Sequence, residues 1–268
     1  MIRPFTITQG DGPVVLGMPH VGTHVPPDIA ARLNDEGRVL RDTDWHIEEL
    51  YRDLIPGLTV VHATFHRYVI DANRDPSGHS HYPGASTTEL VPTTNFDGAP
   101  IWKPGEEPSA DEIAARLVHW HAPYHAALLA EMERVRDRHG VAILFDCHSI
   151  RSVIPWLFDG TLPDFNTGTN NGATCAPAIE AAIAGEAAAS GRTNVLNGRF
   201  KGGWTTRHYG RPTEGFHAIQ MELAQASHLT TETPPFALDL EKSAALRPAL
   251  IRMLARLTAL APHLAQKR

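Results

Sequence analysis

Apolar residues occur along this chain in short continuous runs, separated by polar stretches rich in glycine and proline. That is the pattern of buried strands alternating with helices. VAILFDCHS (141–149) reads as a buried strand ending in Asp146, Cys147 and His148. PVVLGMPH (13–20) reads the same way and ends at His20, before Gly22, Pro26 and Pro27 stop the strand and open a short helix. LTVVHATF (58–65), RYVIDANR (67–74), NVLNGRF (194–200) and HAIQMELA (217–224) are further strand-like runs. Helical spacing marks DWHIEELYRDL (44–54), where Ile47, Leu50, Tyr51 and Leu54 share a face and Asp44 stands as N-cap. It also marks 110–139, bent or restarted at Pro123, an alanine-rich stretch of about 175–189, and 238–264. FNTGTNNGATCAP (165–177) and KGGWTTRHYGRP (201–212) read as loops. Residues 75–108 read as a functional loop or lid, because a linker seldom spends Tyr82, Phe96 and Trp102. The order predicts a single α/β domain over 1–268, a sheet covered by helices, with no internal repeat.

Composition narrows the function. The 268 residues are 42% hydrophobic, enough for a substantial core, and 24 basic against 30 acidic residues give a net charge of -6. Such a balance argues against a general nucleic-acid binder and leaves small-molecule or protein partners. Cys147 and Cys175 make neither a disulfide framework nor a CxxC cluster, and the start MIRPFTITQGD lacks the basic and apolar regions of a signal peptide. With no run of about 18 apolar residues, the expectation is a cytoplasmic protein without a membrane span. The outlier is 16 histidines. The scatter of His119, His121, His125 and His139 over one helical stretch predicts surface positions for them, yet a metal site would draw on this pool.

Ligands of α/β proteins bind at the carboxyl ends of strands, where His20 and His148 both stand. Two imidazoles on neighbouring strand ends can reach one ion, and a catalytic zinc site needs a third ligand and an open position. His24, Asp42, Asp44, His46 and Glu48 are near in sequence; Asp44 is favoured at its helix start, where the plain alternative is an N-cap. Strand alternation in RYVIDANR places Arg67, Val69 and Asp71 on one face, with Asn73 and Arg74 beyond the end. Two arginines there suit an anionic substrate, one forking onto a carboxylate and one stabilising an oxyanion; a structural ion pair of Arg74 with Asp71 or Asp75 is the alternative. In HAIQMELA the core takes Ile219, Met221 and Leu223, which turns Gln220 and Glu222 the other way. A glutamate so placed is a candidate general base, or else an exposed edge-strand residue. Arg207 offers one more cation in a glycine-rich loop. Neither GxxxxGK[ST] nor GxSxG is present, and Cys147, turned away from His148, reads as a core thiol.

PHVGTHVP, the Thr43–Trp45 triplet, RYVIDANRDP, DCHSI, GTNNG, GGWTTRHYG and HAIQMELAQ stand in the order found in N-formylglutamate amidohydrolases, and the resemblance spans about residues 13–228. It implies a mixed, mostly parallel sheet flanked by helices, similar to zinc carboxypeptidases and aspartoacylase, with one zinc ion at the sheet edge. It also implies His20 and His148 as ligands and Glu222 as the catalytic glutamate. Arg67 would polarise the carbonyl, and Asn73 and Arg74, with Arg207, would hold substrate carboxylates. Carboxypeptidases carry a glutamate ligand three residues after the first histidine; here that position is Thr23. The carboxylate ligand must come from elsewhere, which puts Asp44 forward, with His24 and Glu48 as substitutes. The implied reaction is hydrolysis of N-formyl-L-glutamate to formate and L-glutamate in histidine degradation. Alternatives are a zinc deacylase of another N-acyl amino acid or small peptide, and a non-catalytic small-molecule binding protein on the same fold.

Overall fold

The longest apolar runs become the middle of the sheet, because only strands covered on both faces can be apolar throughout. The structure is a computed structural model describing residues 2–78 and 89–265; positions 79–88, with Tyr82 and the middle of the expected lid, lie outside the described residues. In chain order the elements are β1 (Phe5–Thr8), β2 (Val14–Met18), α1 (Pro27–Ala30), α2 (Asp35–Arg38), α3 (Ile47–Tyr51) and β3 (Thr59–Ala63). Then come α4 (Ala110–Arg116), α5 (Ala122–His139), β4 (Ala142–Ile150), β5 (Phe165–Gly168) and α6 (Pro177–Ala189). The last are β6 (Asn194–Leu196), α7 (Trp204–Tyr209), β7 (Phe216–Ala224) and α8 (Leu240–Leu264). The strands form one sheet of order β1-β3-β2-β4-β7-β5-β6. Four of its six pairings are parallel; β1 with β3 and β5 with β7 are antiparallel. This is the mixed, mostly parallel α/β sheet flanked by helices that the sequence implies.

The two faces of β4 and β7 have different fates. Ile143, Phe145 and Cys147 with Ile219, Met221 and Leu223 join Leu50 of α3, Ile179 and Ile183 of α6, and Leu250, Met253 and Leu254 of α8 in one core. On the other face Ala142, Leu144 and Ala218 pack with Tyr124, Leu128 and Met132 of α5 and with Tyr68 and Ile70. Alternation then brings Asp146, His148, Gln220 and Glu222 to that second face at the carboxyl ends. The register seats His148 beside Glu222.

Four expectations are corrected. RYVIDANR is not a strand: it runs in turns, and its buried carbonyls find side chains rather than a ladder. Arg116 Nη1 donates to Val69 O at 3.0 Å, His125 Nε2 to Ala72 O at 2.7 Å and His121 Nε2 to Arg74 O at 3.1 Å. The 110–139 helix does restart near Pro123, where a π-helical turn at Leu117–His121 separates α4 from α5 and leaves Pro123 in the first turn of α5. That path turns His121 and His125 inward, so they are 2% and 8% exposed rather than on the surface. Asp44 caps no helix; α3 begins after His46, whose backbone is left-handed at φ 59° and whose side chain makes no cap. Finally, β5 lies within one expected loop and α7 within the other.

Candidate active site

Asp44 is carried to the sheet edge by its own backbone, its N–H donating to His20 O at 3.1 Å. Its carboxylate thereby faces both imidazoles. Oδ2 lies 3.7 Å from His20 Nδ1 and 3.1 Å from His148 Nδ1, and the two rings are 5.0 Å apart by centroid. All three side chains are buried, and one ligand atom from each lies within 4.8 Å of the others, so the group can hold a metal ion. Of the substitutes, His24 pairs through its backbone with Thr64 and lies tilted against Trp120, while Glu48 lies near Arg52 and His62. Neither belongs to the cluster.

The donor set fits a metal for a second reason. Each histidine turns Nδ1 to the cluster and Nε2 to a carboxylate behind it: His20 Nε2 to Asp71 Oδ1 at 2.7 Å, His148 Nε2 to Asp146 Oδ1 at 3.1 Å. A carboxylate there favours the tautomer that leaves the Nδ1 lone pair for an ion. Asp146 is itself held, Thr206 Oγ1 donating to its Oδ2 at 2.9 Å, while its Oδ1 is buried without a well-aligned hydrogen bond. Burial pushes the Asp44 carboxyl up, but His148 and His20 more than offset it and hold the group below the usual carboxylate range. Burial likewise pulls His148 down, and Asp146 and Asp44 overcome it, keeping the metal-free imidazole well above its ordinary value. Three anionic or imidazole groups crowded together out of water are a poor structural pairing and a good place for a cation.

Asp71 organises the side chains in front of the cluster. It accepts from Arg67 Nη2 at 2.6 Å and from the Asn73 backbone N–H at 2.8 Å, and lies 3.9 Å from Arg74 Nη1. Burial raises its carboxyl, but Arg67, Arg74 and His20 together bring it well below the ordinary value. The ion pair weighed for Arg74 is therefore present, and stronger at Arg67, yet both arginines still line the cavity in front of the cluster. Asn73 is fixed from two sides: Oδ1 accepts from Thr205 N at 2.9 Å, and Nδ2 lies 3.2 Å from His148 Nε2. Only glycine fits beside it, because a Cβ at Gly203 would come 2.4 Å from Asn73 Nδ2.

Glu222 sits one strand over from His148, 7% exposed, on an interior strand rather than an edge. Gln220 Nε2 donates to its Oε2 at 3.0 Å, and Gln220 Oε1 accepts in turn from Gly203 N at 2.6 Å. Burial pushes its carboxyl up to about 8 against the opposing pull of His148. The cavity wall holds His20, Asp44, Arg67, Asn73, Arg74 and Glu222 together, closed by Phe96, Ile150, Leu157 and Phe200. Phe96 packs on Arg67, with the guanidinium 4.7 Å from its ring centre. Arg207 is the exception among the expected residues. Its Nε turns back to Gly202 O at 2.8 Å and it does not line the cavity, whereas Arg199 does. Sequence reading passed over Arg199 because it follows a three-residue strand with no local mark, and passed over Asp71 as a hub because alternation gave it only a face.

A family model described as N-formylglutamate amidohydrolase matches residues 12–229. The N-formylglutamate deformylase of Pseudomonas aeruginosa is 45% identical over 97% of each chain, and that of Pseudomonas putida 48% identical over 88% of each. A crystal structure of N-formylglutamate amidohydrolase from Ralstonia eutropha superposes with a TM-score of 0.81 at 28% identity, covering 98% of this chain and 99% of that one. The chain belongs to the N-formylglutamate amidohydrolase family.

Proposed function

We propose that this protein is a single-domain zinc hydrolase that cleaves the formamide bond of N-formyl-L-glutamate to formate and L-glutamate, a step of histidine degradation. The observation that carries the reading is the convergence of His20, Asp44 and His148 within 4.8 Å, with Glu222 in register beside His148. The relatives' names supply the substrate. Two buried nitrogens and one carboxylate that line the cavity would suit zinc. Such an ion, when bound, polarises the formyl carbonyl and acidifies an adjacent water.

The chain's own residues do the rest. Glu222 takes a proton from the attacking water as the new C–O bond forms, then returns it to the leaving amine as the C–N bond breaks. A carboxyl raised by burial toward neutral pH suits both directions, and Gln220 keeps its oxygen aimed. Arg67, anchored on Asp71, faces the oxyanion with a fixed positive charge. Asn73 and Arg74 take the α-carboxylate. The cavity thus sets local positive charge against an overall charge of -6 that would repel a dianion. Among the described residues no helix is long and apolar enough to cross a membrane, and both cysteines are free and buried, which fits the reducing cytoplasm.

The test is formate release from N-formyl-L-glutamate by zinc-loaded protein, before and after chelation. Activity should vanish on stripping and return with zinc. Full turnover by metal-free protein, or none by the loaded form, would sink the reading.

A further inference from the structure

The cavity draws its cations from two sides. Arg67 and Arg74 come from the segment after β3, and Arg199 comes from the chain after β6, toward the opposite end of the strand order. In the strand order β4, which carries His148, and β7, which carries Glu222, lie between β3 and β6, so the cations come from segments on either side of the two central strands. A substrate whose scissile bond sits at His148 and Glu222 therefore meets one cationic wall on each flank.

Arg199 is built into its wall. Its Nε donates to Leu157 O at 2.9 Å, and its guanidinium lies 5.4 Å from the Phe200 ring centre. That anchor fixes the plane of the fork. Phe96, Ile150, Leu157 and Phe200 give the cavity an apolar lining that suits methylene groups and strengthens a nearby charge pair by excluding water. Among the described residues, the carboxylates lining the cavity are Asp44 and Glu222, which face the two imidazoles and the proton-transfer position.

From this placement we infer that Arg199 is the specificity-determining residue of the site. Its guanidinium pairs with the side-chain carboxylate of the amino-acid half, while Asn73 and Arg74 hold the α-carboxylate. The site then accepts N-acylated acidic amino acids and rejects their neutral isosteres. This rests on the reading of the site as an N-acyl amino acid hydrolase.

The experiment compares N-formyl-L-glutamate with N-formyl-L-glutamine on zinc-loaded wild type, Arg199→Gln and Arg199→Lys. Wild type prefers the glutamate. Arg199→Gln lowers kcat/KM on formylglutamate about 100-fold, mostly through KM, and moves formylglutamine by less than about threefold. Arg199→Lys keeps part of the preference, since the charge remains without the fork. Equal losses on both substrates, or an unchanged preference in Arg199→Gln, overturn the inference. Calorimetric binding of L-glutamate and L-glutamine to the same proteins needs no turnover and separates the two readings. A glutamate preference that depends on Arg199 in a protein that releases no formate refutes the hydrolysis and keeps the inference; no preference in wild type refutes the inference.

Discussion

The two faces of β4 and β7 share a backbone and almost nothing else. Toward α3, α6 and α8 the face stays apolar from end to end, through Ile143, Phe145 and Cys147 and through Ile219, Met221 and Leu223. Toward α5 it begins apolar with Leu144 and Ala218 and ends in Asp146, His148, Gln220 and Glu222, all nine-tenths buried or more. One face is fastened by close packing, the other by hydrogen bonds and ion pairs around a group that can hold a cation. Stability and chemistry are therefore separated by a single residue step along each strand.

That separation can be broken from either side. Glu222→Gln keeps shape and the Gln220 contact but cannot take a proton, so kcat should fall about 10³-fold with the melting temperature nearly unchanged. A comparable drop in thermal stability would show that Glu222 belongs to the core. Phe145→Ala, fully buried on the apolar face, should cost about 3–5 kcal/mol in denaturant unfolding, yet leave kcat of the folded fraction within a few-fold. If kcat collapsed instead, the faces would be coupled. Asp146→Asn removes the charge behind His148 and should weaken zinc affinity about 10- to 100-fold, read by competition with a chelating dye. An unchanged affinity would strip Asp146 of its part in orienting the ring.

The smallest effect concerns acid. His228 donates Nε2–H to Trp45 O at 3.0 Å, next to Asp44, and burial pushes its pKa down to about 4. The unfolded imidazole takes its proton near 6.5, so between about 6.5 and 4 unfolding binds a proton that the folded state refuses. Stability falls as pH drops through that window. His228→Gln, which keeps a donor and loses the titration, should flatten the slope of unfolding free energy between pH 7 and pH 5; an unchanged slope would place the acid sensitivity elsewhere.

What the chain reveals by itself follows the same division. β4 and β7 were legible because full burial leaves an apolar run, and the polar residues at their ends stand out against it. His20, His148 and Glu222 were visible for that reason. Asp44 was favoured from its place before a helix, where it equally resembles a cap, and Thr23 in the place of a carboxylate ligand put it further forward. RYVIDANR misled because Tyr68, Val69, Ile70 and Ala72 are all buried regardless of parity. Its shape is imposed by Arg116, His121 and His125, and no local pattern announces partners that far along the chain. Arg199 was hidden for the same reason, its position depending on Leu157 and the end of a short edge strand.

Those three donors set the order in which the molecule can be completed. Arg116, His125 and His121 close loops of 47, 53 and 47 residues onto Val69, Ala72 and Arg74. Contacts of such separation form only after the entropy of long loops has been overcome, when α4, the π-helical turn and α5 come into place. Until then the segment that carries Arg67, Asn73 and Arg74 lacks the three side chains that receive its carbonyls. His20 and His148 stand farther apart along the chain than any of these pairs, so the ligand cluster and the grip on an anion both belong to the finished tertiary structure.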